Sequence, residues 1–93
     1  MARRLDVSVI SFTIAPAPEQ ARGLLGWLAL DVDGLLLLDG VALRRTKSGR
    51  LGLSFPERPD SQGRRRPLIR PLDDASRREV ERQVFEALGV EAE

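Results

Sequence analysis

The sequence predicts an α+β domain: a small antiparallel β-meander of four to five strands with a C-terminal α-helix. Three observations carry this. Segments rich in β-branched and aliphatic residues, several alternating apolar with polar, fill the chain from about residue 5 to 70. Asp33-Gly34 sits between two apolar runs, the strongest short hairpin signal available. From about residue 74 to 88 the apolar spacing turns helical. Strands followed by one helix is the α+β order, and 93 residues suffice for one domain and not two.

Leu5 to Ile14 reads as the first strand, with Val7 and Val9 on one face and Ile10, Phe12 and Ile14 on the other. Both faces being apolar, both are expected to be covered. Pro16 and Pro18 end this strand and open a loop through Gly23. Leu24 to Leu30 is the second strand and carries the only Trp, Trp27. The third runs from Leu35 to about Leu43, and Asp39-Gly40 within it reads as a bulge rather than a turn between two strands. A loop over Thr46–Gly49 precedes the half-buried alternation Leu51, Leu53, Phe55, which stops at Pro56. A polar turn, Arg64-Arg65-Arg66 and a short strand around Leu68-Ile69 follow. The helix has cap candidates in Asp73, Asp74 and Ser76, and Ser76 with Glu79 has capping-box spacing. Val80, Val84, Ala87 and Leu88 form its apolar stripe, Glu81 falls on the polar side, and Gly89 suits its end.

Composition removes whole classes of chemistry. Without cysteine there is no disulfide framework and no thiolate metal site. Without histidine the usual general base and zinc ligand are missing. No Gly-x-Ser-x-Gly elbow is present, and nothing arranges a carboxylate pair, so no enzyme and no cofactor are expected. Asp31-Val32-Asp33-Gly34 resembles the start of a calcium loop, but the twelfth position is Ala42 rather than a bidentate Glu, which leaves hairpin chemistry. The Met1–Asp6 start lacks the apolar run of a signal peptide, and no stretch approaches the roughly 20 residues of a membrane span. The cytoplasm is the expected location.

The charge is sorted along the chain. Residues 1–43 hold three Arg and five acids, net −2; residues 44–70 hold eight Arg and Lys47 against Glu57 and Asp60, net +7; residues 71–93 hold three Arg and seven acids, net −4. Such blocks indicate partners better than the total of +1 does. Arg44, Arg45, Lys47 and Arg50 gather at one inter-strand loop, and Arg58, Arg64, Arg65, Arg66 and Arg70 at the next. In a meander the two loops bracket one strand and can share an end or edge of the sheet. Guanidinium groups stay charged and bind phosphate in bidentate fashion, so nucleic acid is the expected partner. A rival reading makes the basic segment a protein-interaction module docking an acidic partner or a neighbouring subunit's acidic helix. Trp27, a lone aromatic, reads as core or interface rather than as a stacking platform, since three Phe and no Tyr leave no interleaved aromatics.

The stretch from Pro56 to Leu88 carries a resemblance. It reads Pro-Glu-Arg-Pro-Asp-Ser-Gln-Gly-Arg-Arg-Arg-Pro-Leu-Ile-Arg-Pro and then Leu-Asp-Asp-Ala-Ser-Arg-Arg-Glu-Val-Glu-Arg-Gln-Val, and it resembles the SpoVG family of bacterial septation and sporulation regulators. In that family a strand ends in Pro, a basic polar segment with Gly and Arg leads to a second Pro, and a capped helix with an early Arg follows. Pro56, Gly63, Arg66, Pro71, Arg77 and Val84 fall on the pattern without gaps, and Arg58 matches a basic loop position. Leu30-Asp31 and the apolar third strand also fit, with one or two small insertions. Pro59, Arg65 and Pro67 depart from it, so the basic loop is half kept, with Arg64 and Arg65 as candidate compensation.

The resemblance implies a homodimeric regulator that binds DNA, and RNA as well, and is not an enzyme. The residues themselves also argue for a dimer: two apolar faces on the first strand and the run Leu35–Leu38 exceed what one helix can cover. The expected phosphate-contacting set is Arg58, Arg64, Arg65 and Arg66, with Arg44, Arg45, Lys47 and Arg50 as a second patch and duplex DNA as the first candidate. Arg77 is expected to cap or pair inside the fold near Asp73 and Asp74.

Overall fold

A computed structural model describes residues 5–90; Met1–Arg4, at the start read above as unlike a signal peptide, lie outside them. Four strands, β1 (Val7–Ile14), β2 (Leu24–Val32), β3 (Leu36–Arg45) and β4 (Leu51–Ser54), form an antiparallel sheet in sequence order. A separate two-stranded ribbon follows, β5 (Glu57–Pro59) and β6 (Arg65–Pro67). A five-residue helix α1 (Ala17–Ala21) joins β1 to β2, and α2 (Asp74–Leu88) ends the fold. The α+β class and the meander are as the sequence reads.

The β2–β3 hairpin closes at Asp33-Gly34, whose φ angles of 57° and 69° are those of a type I′ turn, with Leu35 N–H donating to the Val32 carbonyl at 3.0 Å. Asp31 Oδ1 accepts from Gly34 N–H and Asp33 Oδ1 from Asp6 N–H, so both carboxylates serve the turn. Asp39-Gly40 is indeed a bulge: Leu28 pairs with Val41 and Leu30 with Leu38, which sets two residues against Ala29, and Gly40 takes φ 74°.

Leu28, Leu30, Val41, Leu43 and Leu53 bury one sheet face, together with Val7, against Val84 and Phe85 of α2. The helix also closes both sheet edges with side chains. Gln83 accepts from Val7 N–H and donates to the Leu5 carbonyl, each at 2.7 Å, standing in for a strand beside β1. On β4, Glu81 accepts from Leu53 N–H and Arg77 donates to the Leu53 carbonyl, each at 3.0 Å. Edges occupied in this way resist strand addition from another chain.

Five expectations need correction. Residues 17–21 are helical rather than loop, because a proline in the first turn loses no hydrogen bond and fits helical φ. A second bulge at Ile10 shifts the register of β1, so Phe12 pairs with Leu28 and rejoins the face of Val9 instead of opposing it. Phe12 and Ile14 nonetheless remain exposed. The strand around Leu68-Ile69 is instead the ribbon β5–β6, and both residues are exposed beyond it. The helix cap is Asp73, whose carboxylate accepts from Ser76 N–H at 2.8 Å; Ser76 lies inside the helix and Glu79 pairs with Arg82, so the Ser76–Glu79 box does not form. Finally, Phe85 replaces Ala87 in the buried stripe.

Val84 is fully buried, so Val84→Ala is expected to destabilise by about 1–3 kcal/mol through lost methyl contacts. Ala87→Ser, at an exposed position, should stay within about 0.5 kcal/mol. Urea melts of the two variants check the face of α2.

Candidate nucleic-acid interface

The ribbon is short, and a two-stranded hairpin is marginal on its own. Its organiser is Asp60, which accepts at 2.9 Å from both Gln62 N–H and Arg64 N–H while the Asp60 N–H donates to the Arg64 carbonyl. The same carboxylate takes Arg64 Nε at 3.3 Å and Arg66 Nε at 3.0 Å. The Arg64 and Gln62 backbone donors, then the two guanidinium groups, hold the Asp60 carboxyl below its ordinary value. A folded pKa below the unfolded one stabilises the turn above about pH 4, and that contribution is lost as pH falls further. The amide resonances of Gln62, Gly63 and Arg64 are therefore expected to move together below about pH 4, and Asp60→Ala to reproduce the shift at neutral pH. Nuclear magnetic resonance titration checks both.

On the ribbon Arg58 stands directly opposite Arg66, and Arg65 opposite Pro59. Arg65 Nε lies 3.6 Å from Glu57 Oε1. Four arginines against Glu57 and Asp60 leave the ribbon at +2. The pairs of Arg64, Arg65 and Arg66 leave each arginine side chain about 60% exposed, as 63%, 62% and 58%. Exposed pairs of this kind are worth only about 0–1 kcal/mol, so they position the guanidinium groups yet yield readily to a phosphate.

The two sequence clusters are brought together only in part. Arg44 and Arg65 line one cleft of about 580 Å³ along β4, with Arg70, Arg77, Ser54 and Glu57 on its walls. Four arginines and one acidic residue, Glu57, thus line it. Arg45 and Lys47 fall instead around a hollow with Arg22, and Arg45 Nη1 donates to the Gly49 carbonyl. Arg50 lies beside α2 with Arg78, Glu81 and Glu86. The expected second patch is thus split three ways, because neighbouring strand residues point to opposite faces and the turn at Thr46–Gly49 carries Arg50 back toward the helix.

Two cleft residues were outside the expected phosphate-contacting set. Arg70 belongs to the second basic cluster but follows the ribbon. Arg77 turns from the helix start toward β4 rather than toward Asp73 and Asp74; it donates to the Leu53 carbonyl, lies 3.8 Å from Glu81 Oε2 and sits 5.8 Å from the Phe55 ring centroid. The i, i+4 spacing of Arg77 and Glu81 was the available signal. Among the described residues Arg44, Arg58 and Arg70 make no ion pair, and no group of three or more potential metal ligands occurs. No helix among the described residues is long and apolar enough to cross a membrane.

A second feature adjoins the tip of the β2–β3 hairpin. Leu36, Leu37 and Leu38 border an apolar cavity of about 220 Å³ with Leu5, Ile69 and Pro71. Leu35, Leu36 and Leu37 expose 84%, 66% and 63% of their surface, an apolar tip left open among the described residues.

Comparison with family models, with curated proteins and with solved structures finds no match.

Proposed function

We propose that this chain is a homodimeric nucleic-acid-binding regulator of the SpoVG type, which grips backbone phosphates in the cleft along β4. The observation that supports this best is the gathering of Arg44, Arg65, Arg70 and Arg77 from four separate parts of the chain around one cleft. Arg44 and Arg70 have no carboxylate partner among the described residues, so their charge is available to a phosphate. Arg58, Arg64 and Arg66 extend the basic surface along the ribbon. DNA and RNA share this backbone chemistry. Arg45, Lys47 and Arg50 contribute long-range attraction rather than cleft contacts. Dimerisation through the Leu35–Leu37 tip would cover its exposed apolar surface and double the number of phosphate sites.

Fluorescence anisotropy with labelled duplex DNA and RNA tests the reading. Binding is expected at about 50 mM salt and should weaken at least tenfold by about 200 mM, as counterion release requires. Absence of binding to either polymer at low salt would overturn it.

A further inference from the structure

The sheet face opposite α2 carries a row in strict register across all four strands: Thr13, Trp27, Ala42 and Ser54. The core residues Leu28, Val41, Leu43 and Leu53 alternate with this row and point to the helix, so no part of α2 lies over it. Trp27 keeps 38% of its surface exposed, so of the two expectations, core or interface, core does not hold. Its cross-strand neighbours, Thr13 and Ala42, are too short to roof an indole on strands about 4.8 Å apart. The next residue of the row, Ser54, lines the arginine cleft, and Arg44 lies two positions along β3 from Ala42 on the same face. The one exposed indole of the sheet face is therefore continuous with the four-arginine cleft along β4.

We propose that Trp27 is a stacking platform for an unpaired nucleobase, which makes the polymer held by the cleft single-stranded. This rests on the phosphate-binding reading of the cleft and narrows it. In a duplex both faces of a base are occupied by its neighbours, whereas an unpaired base offers a π-face to an aromatic ring. The charge beside Trp27 selects the occupant: a base that reaches the indole brings its own phosphates toward Arg44, Arg65 and Arg70. With a single indole on the face, the site holds one base, which suits a loop, an end or an exposed strand. A second copy of the chain has no comparable reason to sit here, since Arg44 would meet its own like charge and the exposed run Leu35–Leu37 lies at the hairpin tip.

Trp27 is the only Trp and there is no Tyr, so intrinsic fluorescence reports on this position alone. The full chain is titrated at about 50 mM salt with oligo-dT, oligo-U and a duplex of equal length. Quenching of the indole by the single strands is expected, with deoxy and ribo arms separating DNA from RNA. Trp27→Ala should weaken single-strand binding about 5- to 150-fold while leaving the salt slope and the duplex affinity in place. Trp27→Phe should retain most of the binding, and quenching of the wild-type indole decides the matter if the Ala variant does not fold. Unchanged single-strand affinity in a folded Trp27→Ala variant, or no quenching of the wild-type indole by a single strand that binds, would overturn the stacking role while the cleft reading stands. Indole emission that shifts on dilution of the protein alone would place a second copy over Trp27 and overturn it too. Failure of every polymer to bind would remove the cleft reading, and the stacking role with it.

Discussion

Wild-type protein is expected to sediment as a dimer at micromolar concentration, and Leu37→Asp as a monomer with a nearly unchanged melting temperature. Leu36 and Leu37 are about two-thirds exposed in the single chain, so a carboxylate there costs the monomer little. In an interface built on the hairpin tip the same carboxylate is buried without a partner, at a cost of several kcal/mol. That weakens association by at least about 100-fold. Equilibrium sedimentation of the two proteins at matched concentration decides it. A monomeric wild type would remove the dimer from the account and leave the exposed leucines and the cavity beside Ile69 and Pro71 to another partner.

The second large effect concerns the cleft. Arg44→Ala, Arg65→Ala and Arg70→Ala combined are expected to weaken nucleic-acid binding by about 100-fold or more at low salt, across all sequences alike. The fold should survive. Arg44 and Arg70 make no ion pair among the described residues, and Arg65 holds an exposed ion pair to Glu57 and a long 3.5 Å hydrogen bond to its carbonyl. Arg77 is left intact in this variant because it holds the Leu53 carbonyl. Arg77→Ala is expected to show mixed behaviour, with both weaker binding and a lower melting temperature. The rival interaction-module reading gives a different pattern: negligible nucleic-acid affinity, together with retained binding to an acidic protein that the triple variant loses.

What the sequence displayed was decided by local chemistry. Asp33-Gly34 set a hairpin because only a few residue types accept positive φ at both turn positions, and Gly40 marked its bulge for the same reason. The meander and α2 followed from periodicity. The bulge at Ile10 was not legible, since Ile tolerates either register and its signal lies only in the pairing with β2. The ribbon was hidden because Glu57–Pro59 and Arg65–Pro67 have no apolar alternation; the hydrogen bonds of Asp60 hold it instead. Glu81 shows the same limit on the helix. Its position on the polar side is correct by periodicity, yet its carboxylate reaches the β4 edge and accepts from Leu53 N–H. For the site, a count of arginines located the basic segment but not its partition. Arg44 and Arg45 are adjacent in sequence and part company in the fold, whereas Arg44 and Arg77 are 33 positions apart and line one cleft.

Whether the cleft arginines neutralise backbone phosphates is read from the slope of log affinity against log salt. Each phosphate neutralised contributes about −0.9 on duplex DNA and about −0.7 on a single strand. Removing Arg44, Arg65 and Arg70 together is expected to flatten the wild-type slope by about 2–3 units per protomer. An unchanged slope in a folded triple variant would contradict that neutralisation and move the phosphate contacts to the ribbon tip or to Arg45, Lys47 and Arg50.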